Sequence, residues 1–147
     1  MKHINQLYPK RPSQCNCMNV RRASRAVTQF YDEVLKPSGL TIAQLGLLRH
    51  VAAVELTTIS ELARMMRIDR TTLNRNMKPL ADAGLITVSP GRDSRTRQVA
   101  LTGAGSDTAA KAWALWGEAQ ASLKEYLGDE DLAKLVELLS KLEALAP

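Results

Sequence analysis

The sequence predicts a mainly α-helical protein with one small β-hairpin wing, and two observations carry that prediction. Apolar residues recur at helical spacing through most of the chain, whereas strand-like alternation is confined to residues 85–89 and 97–101. Only 4% of the 147 residues are aromatic, and leucine and alanine dominate the apolar 45%, which favours helices over sheets. This length suits one domain, with or without a helical extension for oligomerisation.

The amino-terminal part predicts an arm followed by one long helix. Residues 1–14 are mostly polar, contain Pro9 and Pro12 and lack periodicity, so we expect a flexible arm. The first helix begins near Cys15, and the Pro37-Ser38-Gly39 cluster ends it. Its apolar stripe consists of Val20, Ala23, Val27, Phe30 and Val34.

Three capping signals predict the next three helices. Thr41 with Gln44, and Thr58 with Glu61, have the spacing of capping boxes. Asp69 is a suitable N-cap for a fourth helix over residues 70–83. The inward-facing residues of that helix are Leu73, Met77 and Leu80, and Gly84 suits a left-handed C-cap. Because only a short turn separates the third and fourth helices, together they predict a helix-turn-helix unit.

A hairpin with a long tip follows this unit. Residues 85–89 and 97–101 are the two strands, and Pro90-Gly91 is the turn signal between them. A hairpin directly after a helix-turn-helix predicts a winged helix-turn-helix module over residues 41–101.

The last two helices carry further apolar stripes. Thr102 caps the fifth helix, Gly128 ends it and Asp129 caps the sixth. The stripes consist of Ala109, Ala112, Trp116, Ala119, Leu123 and Tyr126 in the fifth helix, and Leu132, Leu135, Leu139 and Leu142 in the sixth. The small central module cannot cover them all, so residues 15–40 and 102–147 predict a homodimerisation region within one composite domain.

Charge is distributed unevenly along the chain. Lys and Arg outnumber Asp and Glu by 8 to 3 in residues 1–58 and by 8 to 4 in residues 59–101, whereas residues 102–147 carry 4 against 8. A basic segment that coincides with a helix-turn-helix favours double-stranded DNA as the partner.

The outer face of the fourth helix supplies candidate DNA contacts. They are Thr71, Thr72, Asn74, Arg75 and Lys78. Arg75 can contact guanine in a bidentate manner, Asn74 can bond adenine or a phosphate, and Lys78 suits a phosphate. The alternative is an ordinary solvated face, but paired threonines are poor helix formers and favour a DNA-reading role.

The tip of the hairpin is too basic and too long for a tight turn. It carries Arg92, Asp93, Arg95 and Arg97. Arginine on a thin projection suits a narrow minor groove, with Asp93 as a brace that holds Arg95. A mobile surface loop is the alternative.

These features together resemble the MarR (multiple antibiotic resistance regulator) family. The resemblance rests on the long first helix, the leucine-rich last helix, and the segments ISELARMM, DRTTLNRNMKPLADAGLI, GRDSR, RQVALT and LTGAG. It implies a triangular homodimer that binds pseudo-palindromic operators and is often a repressor released by a small molecule or by oxidation. The matching DNA-contact positions are Thr71, Thr72, Asn74 and Arg75 on the recognition helix, and Asp93 and Arg95 in the wing.

The resemblance also implies an effector pocket, because such proteins often bind aromatic or phenolic acids between the dimerisation helices and the winged module. The corresponding candidates are Phe30, Tyr31, Arg49, His50, Trp113 and Trp116. Ordinary core packing is the alternative for each of them.

Cys15 and Cys17 suggest a second mode of sensing. Residues two apart in a helix do not face each other, but one cysteine could meet its counterpart across a dimer, and nearby Arg21 and Arg22 favour oxidation chemistry. With His3, the two thiols could instead bind a soft metal. Two reduced bystander thiols are the remaining alternative.

Other functional classes find little support. The sequence has two histidines and no metal-ligand spacing, phosphate-binding glycine loop or nucleophile motif, so we expect neither an enzyme nor a cofactor. No apolar run approaches the length of a membrane helix, and a cytoplasmic location is expected. A winged helix used only for protein contact remains as a third reading.

Overall fold

Helices make up most of the protein. The computed structural model describes residues 3–4, 7–8, 10–93 and 95–147. The remaining residues, outside the described ones, are Met1, Lys2, Asn5, Gln6 and Pro9 of the predicted arm and Ser94 of the predicted wing tip. The helices are α1 (Asn16–Leu35), α2 (Ile42–Ala52), α3 (Ile59–Met66), α4 (Arg70–Asp82), α5 (Gly103–Leu127) and α6 (Asp129–Glu143), with a 3-10 turn at Lys36–Ser38.

The predicted capping boxes form at the start of α2 and α3. Thr41 Oγ1 accepts a hydrogen bond from the Gln44 amide at 3.2 Å, and Gln44 Oε1 accepts one from the Thr41 amide at 3.0 Å. Thr58 and Glu61 repeat this exchange at 3.1 and 3.3 Å. These bonds satisfy amides that lack partners in a helix, so the local sequence fixes where the helix-turn-helix begins.

Three short strands form one antiparallel sheet. They are β1 (Thr57–Thr58), β2 (Ile86–Pro90) and β3 (Arg97–Leu101), in the order β1-β3-β2. Strands β2 and β3 are the predicted hairpin, and Val99 lies opposite both Val88 and Thr57. Strand β1 was not predicted. It attaches the amino-terminal end of α3 to the hairpin.

The main core lies between the helix-turn-helix and the sheet. Its fully buried side chains include Leu45, Leu48, Leu62, Leu73, Leu80 and Val99. The predicted inward face of α4 is confirmed, since Leu73, Met77 and Leu80 are all buried. Gly84 has the predicted left-handed conformation, with a φ of 73°. The α4 helix is therefore held firmly by its inner side.

The ends of the chain carry apolar surface that this core does not cover. Tyr31 and Val34 of α1 pack with Ala119 of α5 in a second cluster. Val20 and Val27, earlier on the same stripe of α1, are exposed. On α6 the exposed apolar residues are Leu135, Val136, Leu138, Leu139 and Leu142. None of the helices in the described part of the chain has the length and apolarity that crossing a bilayer requires.

Candidate nucleic-acid interface

The outer face of α4 presents polar side chains away from the core. Thr71, Asn74, Arg75 and Lys78 are all exposed. They are held there because Leu73, Met77 and Leu80 anchor the opposite side of the same helix. The arrangement offers hydrogen-bond donors and acceptors on a protruding helix, which is the shape that a major groove admits.

Two of the predicted contacts already have partners on the protein. Thr72 Oγ1 donates to Asp69 Oδ1 at 2.6 Å, and the Thr72 amide donates to Asp69 Oδ2 at 3.0 Å. These bonds hold the pKa of Asp69 below its ordinary value, the side-chain bond contributing most. Lys78 Nζ donates to Asp82 Oδ2 at 2.9 Å. Thr72 thus retains only its methyl group and oxygen lone pairs for DNA, and a phosphate would compete with Asp82 for Lys78.

The wing tip is closed by its own hydrogen bonds. The Gly91 amide donates to the Thr96 carbonyl at 2.8 Å, and the Thr96 amide donates to the Asp93 carbonyl at 2.9 Å. Asp93 Oδ1 accepts from the Arg95 amide at 3.0 Å and lies 4.0 Å from Arg95 Nε. The side chains of Arg92, Arg95 and Arg97 are exposed. Asp93 therefore orients the Arg95 backbone directly and its guanidinium only loosely.

The structure adds residues that the sequence reasoning did not single out. Arg70 and Ser60 line a groove between the helix-turn-helix and the wing, together with Asn74, Arg95 and Arg97. Arg70 precedes Asn74 by four residues and so shares its helical face, which was a usable signal. Arg67 ends α3 in a left-handed conformation with φ of 55°, and nothing in the local sequence predicts that.

Half of the proposed effector residues form one stack. The guanidinium of Arg49 lies 3.8 Å from the ring centroid of Trp113, and Trp113 stacks on Trp116 with centroids 4.0 Å apart and 9° between the planes. Phe30 and Tyr31 make an edge-to-face pair at 5.5 Å and pack in the cluster that also contacts Trp116.

Two of the effector candidates are engaged by the protein itself. Tyr31 Oη donates to Gln120 Oε1 on α5, and burial raises the pKa of the Tyr31 phenol. His50 Nδ1 donates to the Gly46 carbonyl of its own helix at 2.7 Å. The stack of Arg49, Trp113 and Trp116 is therefore the part of the set with surface left to offer a ligand.

Cys15 and Cys17 are free and exposed. Cys15 is the N-cap of α1 with an extended backbone, so only Cys17 lies inside the helix. His3 Nε2 lies 3.3 Å from Glu118 Oε2 on α5, not with the cysteines. In the part of the chain that the structure describes, no three His, Cys, Asp or Glu residues group as a metal site would require.

A helix-turn-helix with an exposed polar second helix, followed by a basic β-wing, defines a winged-helix DNA-binding protein. A model of the MarR family matches residues 38–96. The chain is 35% identical to the Mycobacterium tuberculosis transcriptional regulator MosR. The match to the structure of MosR in complex with DNA has a TM-score of 0.77 and covers 91% of this chain and 100% of that one. The protein therefore belongs to the MarR family of DNA-binding transcriptional regulators and is not an enzyme.

Two more distant structures share the fold. E. coli MarR bound to operator DNA is 24% identical, with a TM-score of 0.77 over 86% of this chain and 91% of that one. Bordetella bronchiseptica BpsR, whose DNA binding is regulated by 6-hydroxynicotinic acid, is 22% identical, with a TM-score of 0.80 over 93% and 99%. Among curated protein sequences, none matches this chain.

Proposed function

We propose that the protein is a homodimeric repressor that binds a pseudo-palindromic operator through α4 and the wing. The observation that carries this proposal is the exposure of Thr71, Asn74 and Arg75 on one face of a core-anchored helix beside an arginine-bearing wing. Thr72 and Lys78 at the edges of that face, and Arg92, Arg95 and Arg97 in the wing, complete the proposed contacts.

Uncovered apolar surface supports the dimer. Five apolar side chains of α6 are 38 to 59% exposed, and contiguous exposed apolar surface marks interaction sites. Their one-sided spacing along α6 suits a second copy of the chain, because two-fold dimers are the commonest soluble assembly. Residues 15–40 and 102–147 would then dimerise and residues 41–101 would read DNA, with residues 1–14 as an amino-terminal arm.

The experiment is selection of an operator from random-sequence duplexes, combined with sedimentation of wild type and Leu139→Asp. We expect wild type to be a dimer that selects two inverted half-sites about one helical turn apart. Leu139→Asp should give a monomer with weak binding, whereas Ser140→Asp, which adds the same charge off the apolar stripe, should stay dimeric. A wild-type monomer, or selection of a single asymmetric site, would contradict the proposal.

We propose an aromatic or phenolic acid as the effector that releases the operator. The Arg49 guanidinium lies on one face of Trp113 and Trp116 stacks on the other. An aromatic carboxylate would pair with that guanidinium and take its place on the Trp113 ring. The regulation of BpsR by 6-hydroxynicotinic acid is in keeping with this class. Phe30, Tyr31 and His50 complete the proposed surroundings.

The two tryptophans of this protein are both in the stack, so intrinsic tryptophan fluorescence reports on this place alone. Titration with hydroxybenzoates should change the emission and weaken operator binding over the same concentration range. Arg49→Gln should weaken both responses and leave operator affinity without ligand unchanged. Release without an emission change would place the effector elsewhere.

A thiol-based or metal-responsive repressor is the second candidate, and the exposure of both cysteines favours it. Within a helix, two residues that are two positions apart do not face each other. Cys15 lies outside α1, so this geometry constrains only Cys17. Peroxide would oxidise two thiols to a disulfide and be reduced to water. Operator binding by wild type and by the Cys15→Ser, Cys17→Ser protein, with and without peroxide or zinc, tests this. Equal responses would show that the thiols are bystanders.

A further inference from the structure

A groove of about 350 Å³ lies where the wing meets the amino-terminal ends of α3 and α4. Three separate segments of the chain form it. Ser60 lies in the first turn of α3, Arg70 is the first residue of α4, and Arg97 is the first residue of β3. The pairing of β1 with β3 holds these segments together, so the groove exists before any ligand arrives.

The groove is strongly positive. Within residues 10–93 and 95–147, neither Arg70 nor Arg97 makes an ion pair. The two nearest acidic side chains in the sequence are otherwise engaged: Asp69 accepts both hydrogen bonds from Thr72, and Asp93 accepts from the Arg95 amide. Unpaired guanidinium groups around a concave site favour a phosphate, which they can bind in a bidentate manner.

Backbone donors add to the charge. The amides of Ile59 and Ser60 lie in the first turn of α3, where a helix offers them no internal acceptor. The Glu61 amide, by contrast, is satisfied by Thr58 Oγ1 at 3.1 Å. Both Ile59 and Ser60 line the groove. The amino-terminal end of α3 therefore supplies hydrogen-bond donors to the same place where Arg70 and Arg97 supply charge.

The position of the groove indicates which phosphate it would meet. With α4 in a major groove and the wing in the adjacent minor groove, one sugar-phosphate strand separates the two. That strand must pass between the amino-terminal end of α4 and the wing, which is where Arg70 and Arg97 lie. We propose that this groove seats a phosphodiester of that strand and is a base-independent anchor for the protein on DNA.

This inference rests on the proposed placement of α4 and the wing, and it assigns Arg70 a different role from Arg75. Arg75, on the exposed face of α4, would read a base, whereas Arg70 and Arg97 would neutralise the backbone without sequence preference. Their contact would fix the angle between the recognition helix and the wing on the duplex.

The test measures binding of Arg70→Gln and Arg97→Gln to a selected operator and to a scrambled duplex over a range of salt. Each variant should weaken binding to both duplexes by the same factor. One phosphate contributes about 0.9 to the slope of log K against log salt. Loss of one contact per protomer removes two contacts from the proposed dimer and should therefore reduce the affinity lost between about 50 and 200 mM salt by roughly 12-fold. Arg64→Gln removes the same charge from an exposed position of α3 outside the groove and should leave the slope unchanged.

A second measurement changes the DNA rather than the protein and compares wild type with Arg70→Gln. Operators that carry one uncharged methylphosphonate at a time should show one sensitive phosphate between the major- and minor-groove contacts of each half-site, and Arg70→Gln should no longer distinguish it. An unchanged salt slope in both variants, or no sensitive phosphate at that place, would overturn the groove as an anchor while wild type still binds DNA. If wild type binds neither duplex, the proposed placement of α4 and the wing fails instead.

Discussion

Arg67 and Glu143 join the turn of the helix-turn-helix to the last residue of α6. Arg67 Nη1 donates to Glu143 Oε1 at 3.1 Å, and the two side chains are 76 and 63% exposed. Arg67 is the only non-glycine residue with positive φ among those that the structure describes. Because α6 touches this turn, a displacement of α6 can reach α4 through one contact.

Glu143→Gln should loosen the end of α6 without unfolding the protein. An exposed ion pair contributes roughly 0.2 to 1 kcal/mol, so the coupling in a double-mutant cycle with Arg67→Ala should fall in that range and decline with salt. Hydrogen exchange of the α6 amides should accelerate near Glu143. Asp82→Asn, which breaks the Lys78–Asp82 pair within α4, is the control and should leave α6 unchanged. Unaltered exchange in Glu143→Gln would show that the pair does not restrain α6.

Arg75→Ala should relax base specificity. Loss of a bidentate base contact costs roughly 1 to 3 kcal/mol on the cognate site, and affinity for a scrambled duplex should change little. Competition binding against duplexes with each base substituted in turn measures this directly. Lys78→Ala serves as the comparison, because loss of a phosphate contact weakens binding to both duplexes alike. Equal weakening by Arg75→Ala on cognate and scrambled DNA would mean that Arg75 touches only phosphate.

The sequence predicted this recognition face because helical periodicity decides which side of α4 points outward. Leu73, Met77 and Leu80 fix the inner side, and the exposed position of Arg75 follows. Strand β1 could not be predicted in the same way, since two residues form a strand there only because β3 lies beside them. The groove around Arg70 and Arg97 likewise depends on distant segments meeting. The exposure of Val20 and Val27 could not be predicted for another reason. An apolar stripe shows that a surface needs cover, but not whether its own chain or a partner covers it.

Arg95→Ala should weaken DNA binding while the protein stays dimeric, because the wing tip takes no part in the apolar surfaces of α1 and α6. Asp93→Ala should also weaken binding, since Asp93 Oδ1 holds the Arg95 amide at 3.0 Å. In the Arg95→Ala background the second substitution should have little further effect. Fluorescence anisotropy titrations of labelled operator with wild type, the two single variants and the double variant measure these effects. Tighter binding by Asp93→Ala would show that the carboxylate repels DNA more than it orients Arg95, and a monomeric Arg95→Ala would contradict the division of roles.

The N-cap of α4 should make stability depend on acid pH. Hydrogen bonds from the Thr72 hydroxyl and amide lower the pKa of Asp69 from its ordinary 3.8. A carboxyl whose pKa is lower in the folded state stabilises the protein above its unfolded pKa, and this contribution is lost as the pH falls through the folded pKa. Urea unfolding between about pH 2 and pH 6 should therefore show a decline that is smaller in Asp69→Asn. Thr72→Val removes the hydroxyl hydrogen bond that lowers the pKa of Asp69 most, and the loss of stability should then occur at higher pH. An NMR titration of the Asp69 carboxyl at an unshifted pKa would contradict this.

Gly105→Ala should destabilise the junction between the wing and α5. Thr102, the N-cap of α5, accepts from the Gly105 amide at 3.0 Å and donates to the Gly84 carbonyl at 2.6 Å, and its amide donates to the Leu85 carbonyl at 3.1 Å. This network draws the start of α5 against Leu85 so closely that a Cβ at Gly105 would overlap the Leu85 carbonyl oxygen.

Because the obstacle to that Cβ is backbone, a rotamer change cannot relieve the overlap, and overpacking of this kind costs about 1 to 3 kcal/mol of folding stability. Gly103→Ala is the matched control, since a Cβ there meets nothing within 4 Å. This substitution should leave the stability unchanged or raise it by up to about 1 kcal/mol. Urea unfolding of both variants gives the comparison. Equal stabilities would mean that α5 can move away from Leu85 at little cost, and the wing would then be free to shift relative to α5.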